Sequence, residues 1–108
     1  MTVWINGVPW HVTRVRRNSL ALVDRTGRIR LATTDPGMRV IYVSEEVEPG
    51  MLRHVMAHEL THACMVSHGL LNDVKSFSFD HVRAEEWVCG FVADHAREIL
   101  EATAQALK

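Results

Sequence analysis

Short apolar runs alternate with polar residues along the first 43 positions. Val3-Trp4-Ile5 leads into Asn6-Gly7, a dipeptide that favours the tight turn of a hairpin. Val8 to Val15 then continues with Trp10, Val12 and Val15 among its apolar positions. Leu20-Ala21-Leu22-Val23 and Ile29-Arg30-Leu31 flank a turn at residues 24–27, and Asp35-Pro36-Gly37 marks another before Met38 to Val43. The pattern predicts four or five short strands over about residues 2–43, as an antiparallel meander or a small twisted, antiparallel or mixed sheet.

After Ser44 the period changes. Leu52, Val55, Met56, Leu60, Ala63 and Val66 recur at three- and four-residue spacing, which predicts a helix over about 50–68. Pro49-Gly50 suits its start and Gly69 its end. A looser segment spans residues 70–80. A second helix follows over about 82–107, with Val88, Val92, Ala96 and Ile99 as its expected inward stripe. Strands first and helices afterwards define an α+β fold.

Composition narrows the class. With 108 residues, 47% hydrophobic and 23% charged, the chain fits one compact domain and not a disordered segment. No apolar run is long enough for a membrane span, and the opening residues show no basic start followed by an apolar stretch. Cys64 and Cys89 are the only cysteines and lack close spacing, so they predict two buried thiols in a reducing compartment, the cytoplasm, and no cysteine-based zinc site. The net charge of −1 gives no bulk attraction to nucleic acid or membrane, yet residues 1–43 carry seven Lys/Arg against two Asp/Glu. Arg14, Arg16 and Arg17 in that half offer a patch for an anionic ligand, but read first as a solvated cluster or one facing the acidic half of the chain. The tryptophans, Phe77, Phe79 and Phe91 read as core.

Seven histidines are the feature left over. His58-Glu59-Leu60-Thr61-His62 is an HExxH motif on the first helix. Four residues advance a helix by about 400°, so His58 and His62 share a face and can reach one ion. Glu59, about 100° round, is placed to take a proton from a metal-bound water. Imidazole nitrogens suit Zn²⁺, and three protein ligands leave a position open for that water. Chance supplies such a motif only about 0.03 times in this composition.

The third ligand is open to choice. His68 lies ten residues after His58, the spacing of HExxHxxGxxH proteases, but Met65 stands where that pattern has its helix-breaking glycine. In a continuing helix His68 is about 15 Å along the axis and about 280° round, out of reach. Glu85 and Glu86 on the second helix are better placed. Residues three, four, seven and fourteen beyond Glu85 are Val88, Cys89, Val92 and Ile99, so Glu85 falls on the more apolar stripe, where a carboxylate needs a cation. His81, one turn earlier, is an alternative ligand, a transition-state donor, or a histidine near a helix start. His11, His54 and His95 read as surface or boundary residues, and Cys89 as a core thiol.

Arg53 to Ala63, then Glu85-Glu86-Trp87-Val88-Cys89-Gly90-Phe91-Val92-Ala93, resembles the small ImmA/IrrE-type metallopeptidases of phages, prophages and their bacterial hosts. That family pairs HExxH with a glutamate opening an E-x-x-A-x-x-F-A helix. Aligned on Phe91, the glutamate is Glu85, with Val88 and Val92 where alanines are usual. Asn6-Gly7…Trp10 and Leu31 to Asp35 are also similar to its short members, so the likeness spans most of the chain. The resemblance implies a zincin-like core with zinc on His58, His62 and Glu85, and Glu59 as the base in hydrolysis of a protein or peptide substrate. It further implies that the strand at Met38 to Val43 pairs with an extended substrate, and it nominates His81 or Tyr42 for the oxyanion.

Two other classes compete. One is a non-proteolytic, zinc-stabilised regulatory protein of a phage or mobile element that contacts a repressor; an intact Glu59 has no use there. The other is a SprT-like DNA-associated protease with His81 as third ligand and the basic strands meeting DNA.

Overall fold

The computed structural model describes residues 1–77 and 80–108; of the expected core aromatics, Phe79 falls outside them. Strands β1 (Thr2–Ile5) and β2 (Val8–Val15) form the expected hairpin. Asn6 and Gly7 at its tip have φ of 51° and 71°, the left-handed pair that a two-residue turn between twisted strands requires. Strand β3 (Ala32–Asp35) pairs antiparallel with β4 (Val40–Ser44), and β4 pairs parallel with β2. The sheet is therefore mixed, ordered β1-β2-β4-β3.

This order corrects the meander. The two apolar runs between β2 and β3 form no full strands. Leu20–Leu22 is a 3₁₀ turn whose Ser19 hydroxyl accepts from the Ala21 amide, and Val23 and Ile29 meet in one isolated bridge. Ile29 and Leu31 stay exposed. The turn at 24–27 is held by Asp24, which accepts hydrogen bonds from Thr26 and Arg30. The Thr26 hydroxyl first and the Arg30 guanidinium second hold its carboxyl well below the usual aspartate range. The chain thus spends these residues on a compact loop, and β4 enters the sheet between β2 and β3.

Helix α1 (Pro49–Ser67) lies against one sheet face, where Val3, Ile5, Trp10, Val12, Ile41 and Val43 meet Val55, Met56, Leu60, Ala63 and Cys64. It ends two residues before Gly69, whose φ of 70° lets the chain turn out of the helix. A Cβ there would meet nothing within 4 Å, so Gly69→Ala is expected to cost about 1 kcal/mol through backbone strain alone, with Gly69→Asn costing less in urea denaturation. A short helix α2 (Leu71–Lys75) follows. Then α3 (His81–Ala106) starts at Asp80, whose side chain accepts from the Arg83 amide, and packs on α1 and β1. Among the described residues no helix is long and apolar enough to cross a membrane.

The inward stripe of α3 is only partly the expected one, with Ile99 buried but the two valines turned out. Val88 and Val92 are each 53% exposed, while Phe91, Ile99, Ala102 and Thr103 are buried. Trp87 and Phe91 stack at 5.1 Å between centroids, and Phe77 approaches Trp87 at 5.9 Å. A ridge of Trp87, Phe91 and Ile99 buries more apolar area than one of two valines, so the aromatics set the rotation of the helix. Cys89, expected in the core, is exposed, and so is Trp4 at 60%.

Candidate metal and catalytic site

The buried face of α1 carries one acidic residue. Glu59 is only 6% exposed and lies between Val55 and Ala63 on the side turned to the sheet. The hydroxyl of Thr34, on β3, sits 3.4 Å from both the backbone oxygen and Oε2 of Glu59, a long hydrogen bond it gives to one or the other. Thr34 was not singled out in the sequence, because a threonine in a four-residue strand carries no signal until β3 and α1 are known to touch.

His58 and His62 flank this position on the next strip of the helix. Their rings meet edge to face at 5.0 Å, and ligand atoms of His58, Glu59 and His62 all lie within 4.8 Å of one another. Both histidines are exposed. Burial therefore adds nothing to their case; their shared face and the carboxylate beside them carry it. Two accessible imidazoles one turn apart are a donor set suited to a borderline metal such as zinc.

The remaining candidates are not brought to this cluster. Glu85 and Glu86 are both exposed on α3, which corrects the expectation of a buried Glu85. Val88 and Val92, its partners on the expected stripe, turn to solvent with it. His81 is the exposed first residue of α3. Tyr42 alternates with Ile41 and Val43, which face α1, and so belongs to the opposite face of the sheet. Strand β4 is bonded on both sides, which leaves β3 as the edge strand beside Glu59. In the basic half, Arg14 donates to the Ser44 carbonyl and Arg17 pairs with Glu46 at 3.3 Å, so these charges meet the acidic half of their own chain.

His68 has gone elsewhere. Its Nε2 lies 2.8 Å from Glu98 Oε1, and its ring lies 4.3 Å from that of His95. The Cys64 thiol donates to the same Glu98 oxygen at 3.6 Å. Burial, and then the neighbouring Glu98 carboxylate, pushes this thiol up to about 12.

A family model, Peptidase_M78, described as the IrrE N-terminal-like domain, matches residues 13–103. No curated protein and no solved structure matches.

Proposed function

The chain belongs to the IrrE N-terminal-like family of metallopeptidases, and from that membership we propose that it is a zinc-dependent enzyme hydrolysing peptide bonds of a protein substrate. The observation that carries this reading is Glu59, a carboxylate kept out of water beside two solvent-facing imidazoles. A zinc-stabilised scaffold has no need of such a base.

His58 and His62 would hold the ion, and Glu85, on the family resemblance, would be the third ligand. When bound, zinc polarises the scissile carbonyl and makes a water acidic enough to attack near neutral pH. Glu59 accepts the proton of the attacking water and returns it to the leaving amine. Thr34 restrains the carboxylate from the sheet side. The open edge of β3, next to Glu59, offers backbone groups to an extended substrate, the role first expected of Met38 to Val43. Two free cysteines fit a cytoplasmic setting.

Chelation should abolish cleavage and zinc should restore it, with His58→Ala and His62→Ala inactive throughout. Because Glu85 lies outside the cluster, its assignment has its own measurement, the zinc concentration that restores cleavage. Glu85→Ala should raise it tenfold or more and Glu86→Ala should leave it unchanged. Equal behaviour of the two would remove Glu85 from the site.

A further inference from the structure

Cys64, on the last turn of α1, and His68, which caps that helix, stand four residues apart, and His95 and Glu98 stand three apart on α3. One ligand atom from each of the four lies within 4.8 Å of all the others. We propose that Cys64, His68, His95 and Glu98 form a second, structural zinc site that clamps the end of α1 to α3.

The donor set is complete in kind. Structural zinc takes four protein ligands from thiolate, imidazole and carboxylate, with bonds of about 2.0–2.3 Å that set tetrahedral donors about 3.3–3.8 Å apart. The Cys64 sulfur and Glu98 Oε1 are already 3.6 Å apart, and the His68–Glu98 pair at 2.8 Å needs to open only slightly to admit an ion. The end of α1 with its cap offers one pair of donors and α3 the other, so the ion joins the two elements. Cys64 is buried and the other three are half-buried, which gives the sheltered setting of a structural site. His95 also lines an open groove with Asp94 and Trp87, through which an ion can enter. A thiol among two imidazoles and a carboxylate selects a borderline metal over magnesium or calcium.

This site shares no residue with His58, Glu59 and His62, so it stands or falls apart from the peptidase reading. The test uses the full chain carrying His58→Ala and His62→Ala, stripped of metal and titrated with Co²⁺. The expected result is a thiolate-to-cobalt charge-transfer band in the near ultraviolet that saturates at one equivalent and is displaced by Zn²⁺. Zinc should also raise the thermal midpoint of this variant. Adding Cys64→Ser should abolish the band, and adding Cys89→Ser should leave it intact. His95→Ala, a change at a half-buried position, should weaken cobalt binding tenfold or more even if Cys64→Ser fails to fold. Absence of the band, its loss with Cys89→Ser, its persistence without Cys64, or unchanged affinity in His95→Ala would each overturn the proposal.

Discussion

Glu59→Gln is expected to keep its metal and to lose peptide hydrolysis by a factor of about 10² to 10⁴. The replacement keeps the side chain's shape, so the buried pocket between Val55 and Ala63 stays filled and the Thr34 hydroxyl still finds an oxygen to donate to. What disappears is the ability to accept a proton. His58 and His62 are untouched and exposed, so zinc content measured by mass spectrometry should match wild type. Cleavage of an unfolded protein substrate, followed by chromatography, reads the loss. Retained cleavage in a zinc-loaded Glu59→Gln protein would remove Glu59 as the base. The same variant, holding substrate without cutting it, suits capture of bound proteins from the native host.

Trp10→Ala is expected to cost about 3–5 kcal/mol, a large share of the roughly 5–15 kcal/mol that holds a domain of this size together. Trp10 is wholly buried, and its indole nitrogen donates to the Ser67 hydroxyl at 2.7 Å. Asn6, in the hairpin turn, donates to the Ser67 carbonyl at 3.1 Å. The β1–β2 hairpin therefore grips the last turn of α1 twice. Urea denaturation should show a midpoint shift without a change of slope. Trp10→Phe, which keeps most of the volume and gives up the hydrogen bond, should cost distinctly less. An alanine variant as stable as wild type would mean that Trp10 does not anchor α1.

Much of this arrangement was legible in the sequence. Asn6-Gly7 marked a turn that the structure makes with two positive φ angles, and the three- and four-residue spacing from Leu52 to Val66 marked α1. The HExxH motif carried its own geometry, because its two histidines need nothing beyond the helix to share a face. Pairing partners were less accessible. Nothing local in Val40 to Val43 says that its neighbours are β2 and β3, since that depends on how the intervening loop folds. The rotation of α3 is not fixed by local sequence for a related reason. Two stripes on that helix are apolar by count, and the choice between them is made by aromatic volume packed against distant residues. The grouping of Cys64 and His68 with His95 and Glu98 is hidden in the sequence because the two pairs lie 27 or more residues apart and only the packing of α3 on α1 joins them. The usable signals are two pairs at helical intervals, one at the end of α1 and one on α3.

Chain connectivity around Glu59 is local. Strands β3 and β4 and helix α1 are consecutive, running from Ala32 to Ser67, and they contain Thr34, His58, Glu59 and His62 together. The contact between Thr34 and Glu59 spans only 25 residues of chain. The entropy cost of closing a loop grows only slowly with its length, so a span of this size adds little beyond that of a shorter one. Pairing of β2 with β4 and packing of α3 bring in the two ends of the chain from outside this unit. Stability is divided among cooperative pieces of a fold, and this consecutive unit holds the Thr34–Glu59 contact within one of them. Thr34 and Glu59 belong to the middle of the chain, flanked in sequence by the β1–β2 hairpin on one side and α3 on the other.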